Sequence, residues 1–149
     1  MDLWELNARE SIRDLVTRYN SNGDTGRVPQ VIELFAPDAT MDLLSSDGGV
    51  QTYRGPEEIA TIFTGARERF GSAADARGEP RYLRHCVFTH QIDFDDQTHA
   101  RGRCYYQVLM AHGLDHWGRY FDEYGERDGR WLFTNRKVTT DGHASDVTH

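Results

Sequence analysis

The sequence contains no run of about 18 apolar residues, so nothing in it reads as a membrane span. Its two cysteines, Cys86 and Cys104, are too few for a disulfide framework and fit no zinc-binding spacing. Both read as reduced core residues. An excess of cations is also missing: 17 Lys and Arg stand against 24 Asp and Glu, a formal charge of −7. That balance argues against a nucleic-acid partner, because phosphate binding needs clustered cations. The arginines alternate with acids, as in Arg67-Glu68-Arg69 and Glu126-Arg127-Asp128, the pattern of solvated faces. The start, Met1-Asp2-Leu3-Trp4-Glu5, is acidic and lacks the apolar stretch of a signal peptide, so the cytoplasm is the expected location. A Gly-rich phosphate loop, a Gly-x-Ser-x-Gly elbow and a Cys-x-x-Cys pair are all absent. NTP, NAD and serine-hydrolase readings therefore have no support.

What is present fits one domain of 149 residues, long enough to bury a core. Ala8, Ile12, Leu15, Val16 and Tyr19 recur at helical spacing, and Asn22-Gly23-Asp24 stops that helix. Val28, Val31, Ile32 and Phe35 predict a second helix, with Thr25 as its N-cap and Pro37 as its close. Thr40 to Leu43 reads as a short strand and Ser45 to Gly49 as a turn. Gly55-Pro56-Glu57-Glu58 opens a third helix, with acids at the positive end of its dipole. Residues 71–80 read as a loop. Residues 82–94, 99–111, 116–126 and 130–140 are rich in β-branched and aromatic residues and predict four long antiparallel strands in a meander. Asp128-Gly129 suits a type I′ hairpin turn. Helices first and strands after is the α+β order. The domain is expected over residues 1–141, with 142–149 as a loose tail.

Asp24 at the end of the first helix and His85 at the start of a long strand are the candidate reactive pair, although alone each also suits a structural role. Strict alternation puts His85 on the face opposite Cys86, Phe88, Ile92 and Phe94. Either a bulge re-aims the strand, or a dimer partner covers the second face. His112 and His116 are four apart, but Gly113 places them at a hairpin tip, so no metal site is expected. His90 and His99 flank a hairpin and are expected to be exposed, and His143 falls in the tail.

In order along the chain, five stretches resemble the SnoaL-like domains of the nuclear transport factor 2 superfamily. They are Tyr19-x-x-x-x-Asp24; Leu34-Phe35-Ala36-Pro37-Asp38-Ala39; Tyr53-Arg54-Gly55-Pro56-Glu57-Glu58-Ile59; Arg84-His85; and Asp128-Gly129-Arg130-Trp131. The resemblance implies a cone-shaped α+β barrel of cystatin-like fold, with N-terminal helices packed on a curved antiparallel sheet. It implies a cofactor-free Asp–His dyad, which falls on Asp24 and His85, with Tyr19 as a polarising hydroxyl and Tyr53 as a further pocket tyrosine. It also implies a homodimer formed through the outer sheet face.

A carboxylate bonded to one imidazole nitrogen fixes the tautomer and makes the other nitrogen a better base. The expected activity is that of a lyase or isomerase acting on a small hydrophobic, oxygenated molecule. Phe35, Phe63, Val87, Tyr105, Met110 and Tyr120 are expected as cavity walls. A polyketide cyclase, a non-catalytic binding module, and the small subunit of a ring-hydroxylating oxygenase are alternatives on the same fold.

Overall fold

A computed structural model describes residues 1–70 and 82–144; the expected loop at 71–80 and residues 145–149 of the expected tail lie outside the described residues. Helix α1 (Leu3–Gly23) forms where the apolar stripe predicted it, and Ala8, Ile12, Leu15, Val16 and Tyr19 are all buried. Helix α2 (Val28–Ile32) is shorter than its periodicity suggested. Phe35 leaves the helical path to open strand β1 (Phe35–Leu44), where it pairs with Phe133. The ladder then slips between Phe35 and Thr40, the interval containing Pro37, which has no N–H to give to a ladder. Thr25 donates to the Ser21 carbonyl at 2.8 Å, and the N-cap position belongs to Arg27.

Strand β2 (Val50–Arg54), not anticipated from the sequence, pairs with β1 around the Ser45–Gly49 turn. Helix α3 (Gly55–Phe70) follows at once. The Arg54 backbone N–H donates to the Glu58 carboxylate at 2.7 Å, satisfying a donor at the helix start.

The four predicted long strands are present as β3 (Arg84–Phe94), β4 (His99–Met110), β5 (Gly113–Arg127) and β6 (Arg130–His143). Asp128 and Gly129 both have positive φ, 53° and 81°, as a type I′ turn requires. Strand β6 runs through Gly142 and His143, so the tail begins later than expected. The sheet order is β2-β1-β6-β5-β4-β3, a curved and unclosed six-stranded sheet. All its pairings are antiparallel except β1 with β6. Helices α1 and α3 cover one face, and the core lies between.

A bulge resolves the alternation conflict in β3. Thr89 has φ 55°, and the register with β4 shifts between Phe88 and Gln91. His85 and Val87 face the helices before the bulge; His90, buried Ile92 and Phe94 face them after it, Phe94 meeting Trp4 at 5.2 Å. Phe88 and Tyr105 remain on the outer face, partly exposed and edge to face at 5.9 Å.

On the inner face, opposite Tyr106, Gly118 tolerates no side chain. A Cβ there would overlap the Thr139 carbonyl oxygen and come within 2.7 Å of the Tyr106 hydroxyl. Gly118→Ala is expected to destabilise the fold by about 1–3 kcal/mol or more. An unchanged melting temperature would show that the bulge at Trp117 absorbs the methyl group.

Candidate active site

The end of α1 and the start of β3 meet at one carboxylate. Asp24 is the residue that caps α1, its backbone N–H donating to Asn20 at 2.8 Å. One of its oxygens, Oδ2, accepts the His85 backbone N–H at 2.8 Å, and the other, Oδ1, lies 2.6 Å from His85 Nδ1. The helix end is thus tied to the strand start by the same group that orients the imidazole. An ionised carboxylate can only accept, so Nδ1 is the donor in this contact, and in the neutral ring Nε2 is the nitrogen with the lone pair. Both side chains are mostly buried, with 13% of Asp24 and 21% of His85 accessible. A groove of about 520 Å³ borders the pair and is lined also by Thr17, Asn20, Ser21, Tyr82, Leu83 and Val87.

The sheet places further rings near His85 by register. His85 pairs with Val108, Val108 with His116, and His116 with His143, forming one row across four strands. The His116 ring stands edge-on to His85 at 6.4 Å and meets His143 at 5.7 Å. Tyr106, two residues before Val108, brings its ring within 5.8 Å of His85. Its hydroxyl donates to the Thr139 carbonyl at 2.7 Å, and burial pushes its pKa up. His116 and Tyr106 were not anticipated as neighbours of His85. Parity would have found them, since both share the period-two face of Tyr120, Cys104 and Val108.

Of the other anticipated residues, only Val87 lines this groove. Tyr19 is buried among the rings of Phe35, Phe63, Tyr120 and Phe133 at 5.5–6.1 Å. Its hydroxyl points at the Met41 sulfur, 3.8 Å away, and burial raises its pKa. Tyr19, Phe35, Phe63 and Tyr120 therefore form a core cluster, and none of them borders the groove beside the dyad. Tyr53 packs against the core from β2, the sheet edge opposite β3 in strand order. Met110 ends β4, and Val87 does line the groove. Tyr105 is corrected by strand alternation: it faces outward, 49% exposed, and Tyr106 takes the inward place. His90 is also not exposed as expected. Its Nε2 lies 3.2 Å from the Tyr124 hydroxyl, and burial lowers its pKa.

Beneath Tyr19 lies a buried ion pair that the sequence reading did not single out. Arg136 Nε and Nη2 donate to the two Asp122 oxygens at 2.7 and 2.9 Å, and the Tyr124 hydroxyl donates to Asp122 at 2.9 Å. The guanidinium sits over Tyr120, Phe133 and Tyr19, with centroid distances of 3.9, 4.4 and 4.2 Å. No group of three or more His, Cys, Asp or Glu side chains among the described residues is placed to hold a metal ion.

Residues 4–137 match the family model of the SnoaL-like domain. No curated protein matches in sequence. Among solved structures, the chain is similar to a candidate scytalone dehydratase from Novosphingobium aromaticivorans DSM 12444. The identity is 20%, with 95% of this chain and 89% of that one covered and a TM-score of 0.77. Hexachlorocyclohexane dehydrochlorinase LinA-type3 from Novosphingobium barchaimii LL02 gives 19% identity, 97% and 93% coverage and 0.77. A protein with a cystatin-like fold from Nostoc punctiforme PCC 73102 gives 21%, 89% and 90%, and 0.71. At these identities the likeness is one of fold. With the matched model spanning nearly the whole chain, the protein belongs to the SnoaL-like domain family.

Proposed function

We propose that this protein is a cofactor-independent lyase or isomerase acting on a small hydrophobic, oxygenated molecule, with His85 as the base and Asp24 as the group that orients it. The observation that carries the reading is the 2.6 Å contact between Asp24 Oδ1 and His85 Nδ1 at the edge of a groove. This contact leaves Nε2 as an oriented base without a partner among the described residues. A carbon acid beside a carbonyl, bound in the groove, would lose its proton to Nε2, a step to which a positioned base contributes about 10²–10⁴-fold. The imidazolium so formed is stabilised by the Asp24 carboxylate. Solved structures of like fold include the two named above, a candidate dehydratase and a dehydrochlorinase.

The test uses β-tetralone, a hydrophobic ketone with an acidic carbon, in deuterated water. Wild-type protein is expected to speed exchange of the protons beside the carbonyl, followed by NMR, and His85→Gln to return the rate to the solvent blank. A wild-type rate no faster than the blank would leave the groove with a binding role.

A further inference from the structure

Helix α1 brings a second polar side chain to the groove, one turn before Asp24. Asn20 and Asp24 are four apart, and the Asp24 backbone N–H donates to the Asn20 carbonyl, so the two side chains share one helix face. Asn20 is 6% exposed and lines the groove together with Asp24 and His85. Its Nδ2 donates to the Tyr120 hydroxyl at 3.2 Å, and its Oδ1 is buried without a partner. Among the described residues two other buried side-chain atoms are orphaned, Arg9 Nε and Arg136 Nη1, and neither residue lines the groove. Nearly all buried polar groups are satisfied, so an orphan beside the dyad calls for a cause.

The contact with Tyr120 leaves two groups unsatisfied in that orientation. The phenol hydrogen meets no acceptor among the described residues, while Oδ1 meets no donor. Turning the carboxamide over corrects both. Tyr120 O–H then donates to Oδ1, and the NH2 group takes the orphaned position. Arg136 favours that sense: its guanidinium stands 3.9 Å from the Tyr120 ring centroid, and a cation over the ring makes the phenol a better donor.

We propose that the Asn20 NH2 group binds the carbonyl oxygen of the substrate and holds the negative charge that forms there when His85 takes the neighbouring proton. The family resemblance puts Tyr19 in this role, but its hydroxyl turns into the core toward Met41, and Asn20 is the next residue along the helix. His85 Nε2 takes the proton, the C–H electron pair forms a C=C bond, and the carbonyl π pair moves to oxygen. The carboxamide keeps both its protons, so the oxygen stays an anion until His85 returns a proton to carbon. The donor end is closed to water, where a fixed dipole stabilises developing charge most. The soft terminal torsion of asparagine lets that end turn to a bound oxygen. The ligand so defined is a ketone with its oxygen against α1 and its acidic carbon toward β3.

This inference rests on His85 being the base, and a probe that needs no turnover separates the two. 2-Naphthol has the skeleton of β-tetralone with a hydroxyl at the ketone position, and its ionised form mimics the enolate. Its ionisation midpoint is read by absorbance, free and bound. Wild-type protein is expected to lower the midpoint, and Asn20→Leu to give back about one unit of that shift or more, a tenfold change in ionisation. The same difference should persist in the His85→Gln background.

The kinetic arm follows proton exchange on β-tetralone. Asn20→Leu is expected to lower kcat by about 10²–10³-fold while KM changes by less than about threefold. Should Asn20→Leu fail to fold, Asn20→Asp decides both arms. It keeps the shape and the acceptor for Tyr120 but loses the donor, so in alkaline buffer its losses should match. A 2-naphthol midpoint unmoved by the substitution, or exchange within about twofold of wild type, overturns the proposal. Exchange untouched by His85→Gln would instead count against the base assignment, while the 2-naphthol shift still decides Asn20.

Discussion

Asp122→Ala is expected to remove about 3–5 kcal/mol of stability. Arg136 and Asp122 have no side-chain exposure, so the mutation leaves a guanidinium in the core with neither solvent nor a counter-ion. Arg136 cannot escape by giving up its proton. Burial opposes its charge, yet Asp122 and the surrounding tyrosines raise its pKa above the ordinary arginine value. The rings of Tyr19, Tyr120 and Phe133 supply cation–π attraction, but those contacts are weaker than the charged hydrogen bonds they flank. Against a usual domain stability of about 5–15 kcal/mol, the loss should lower the melting temperature by roughly 6–20 °C. The double variant Asp122→Ala/Arg136→Met decides the cause. Removing both charges is expected to recover much of the loss, because the single variant is penalised chiefly for the orphaned cation. A double variant worse than the single would mean that the pair is itself strongly stabilising.

That pair also shows how far the sequence could be read. Tyr120, Asp122 and Tyr124 alternate along β5 and all point inward, so parity alone places Asp122 beside two buried aromatics. The charge pattern was read only at Arg67-Glu68-Arg69 and Glu126-Arg127-Asp128, and Asp122 was not singled out. The same neglect of parity selected Tyr105 over Tyr106. What was legible was local: the α1 stripe, the positive-φ turn at Asp128-Gly129 and the four-strand meander each rest on neighbours in sequence. What was not legible was set at long range. The parallel pairing of β1 with β6 drew Phe35 out of a helical pattern and into a strand, since its ladder partner lies almost a hundred residues away. The Asp24–His85 contact was anticipated through family resemblance, because no spacing rule joins residues 24 and 85. The bulge at Thr89 was needed for β3 to serve both the site and the core. It was foreseen as one of two remedies for a broken alternation.

His85→Ala is expected to lower proton exchange on β-tetralone by about 10²–10⁴-fold, since it removes the base itself. It should leave the α1–β3 tie intact, because the His85 backbone N–H still meets Asp24 Oδ2. Asp24→Asn disturbs both. A carboxamide has one acceptor oxygen, so either the ring Nδ1–H or the backbone N–H must face an NH2 donor. The backbone contact can be kept only by turning the amide nitrogen toward Nδ1, which then has to accept. That swaps the tautomer and puts the proton on Nε2, where the base is needed bare. Asp24→Asn is therefore expected to approach the His85→Ala loss in rate and to cost about 1 kcal/mol in stability as well. Because Asp24 acts on the substrate only through His85, the double variant should exchange no more slowly than His85→Ala alone. Additive losses would show Asp24 touching the substrate directly, with His85 as one of two independent bases.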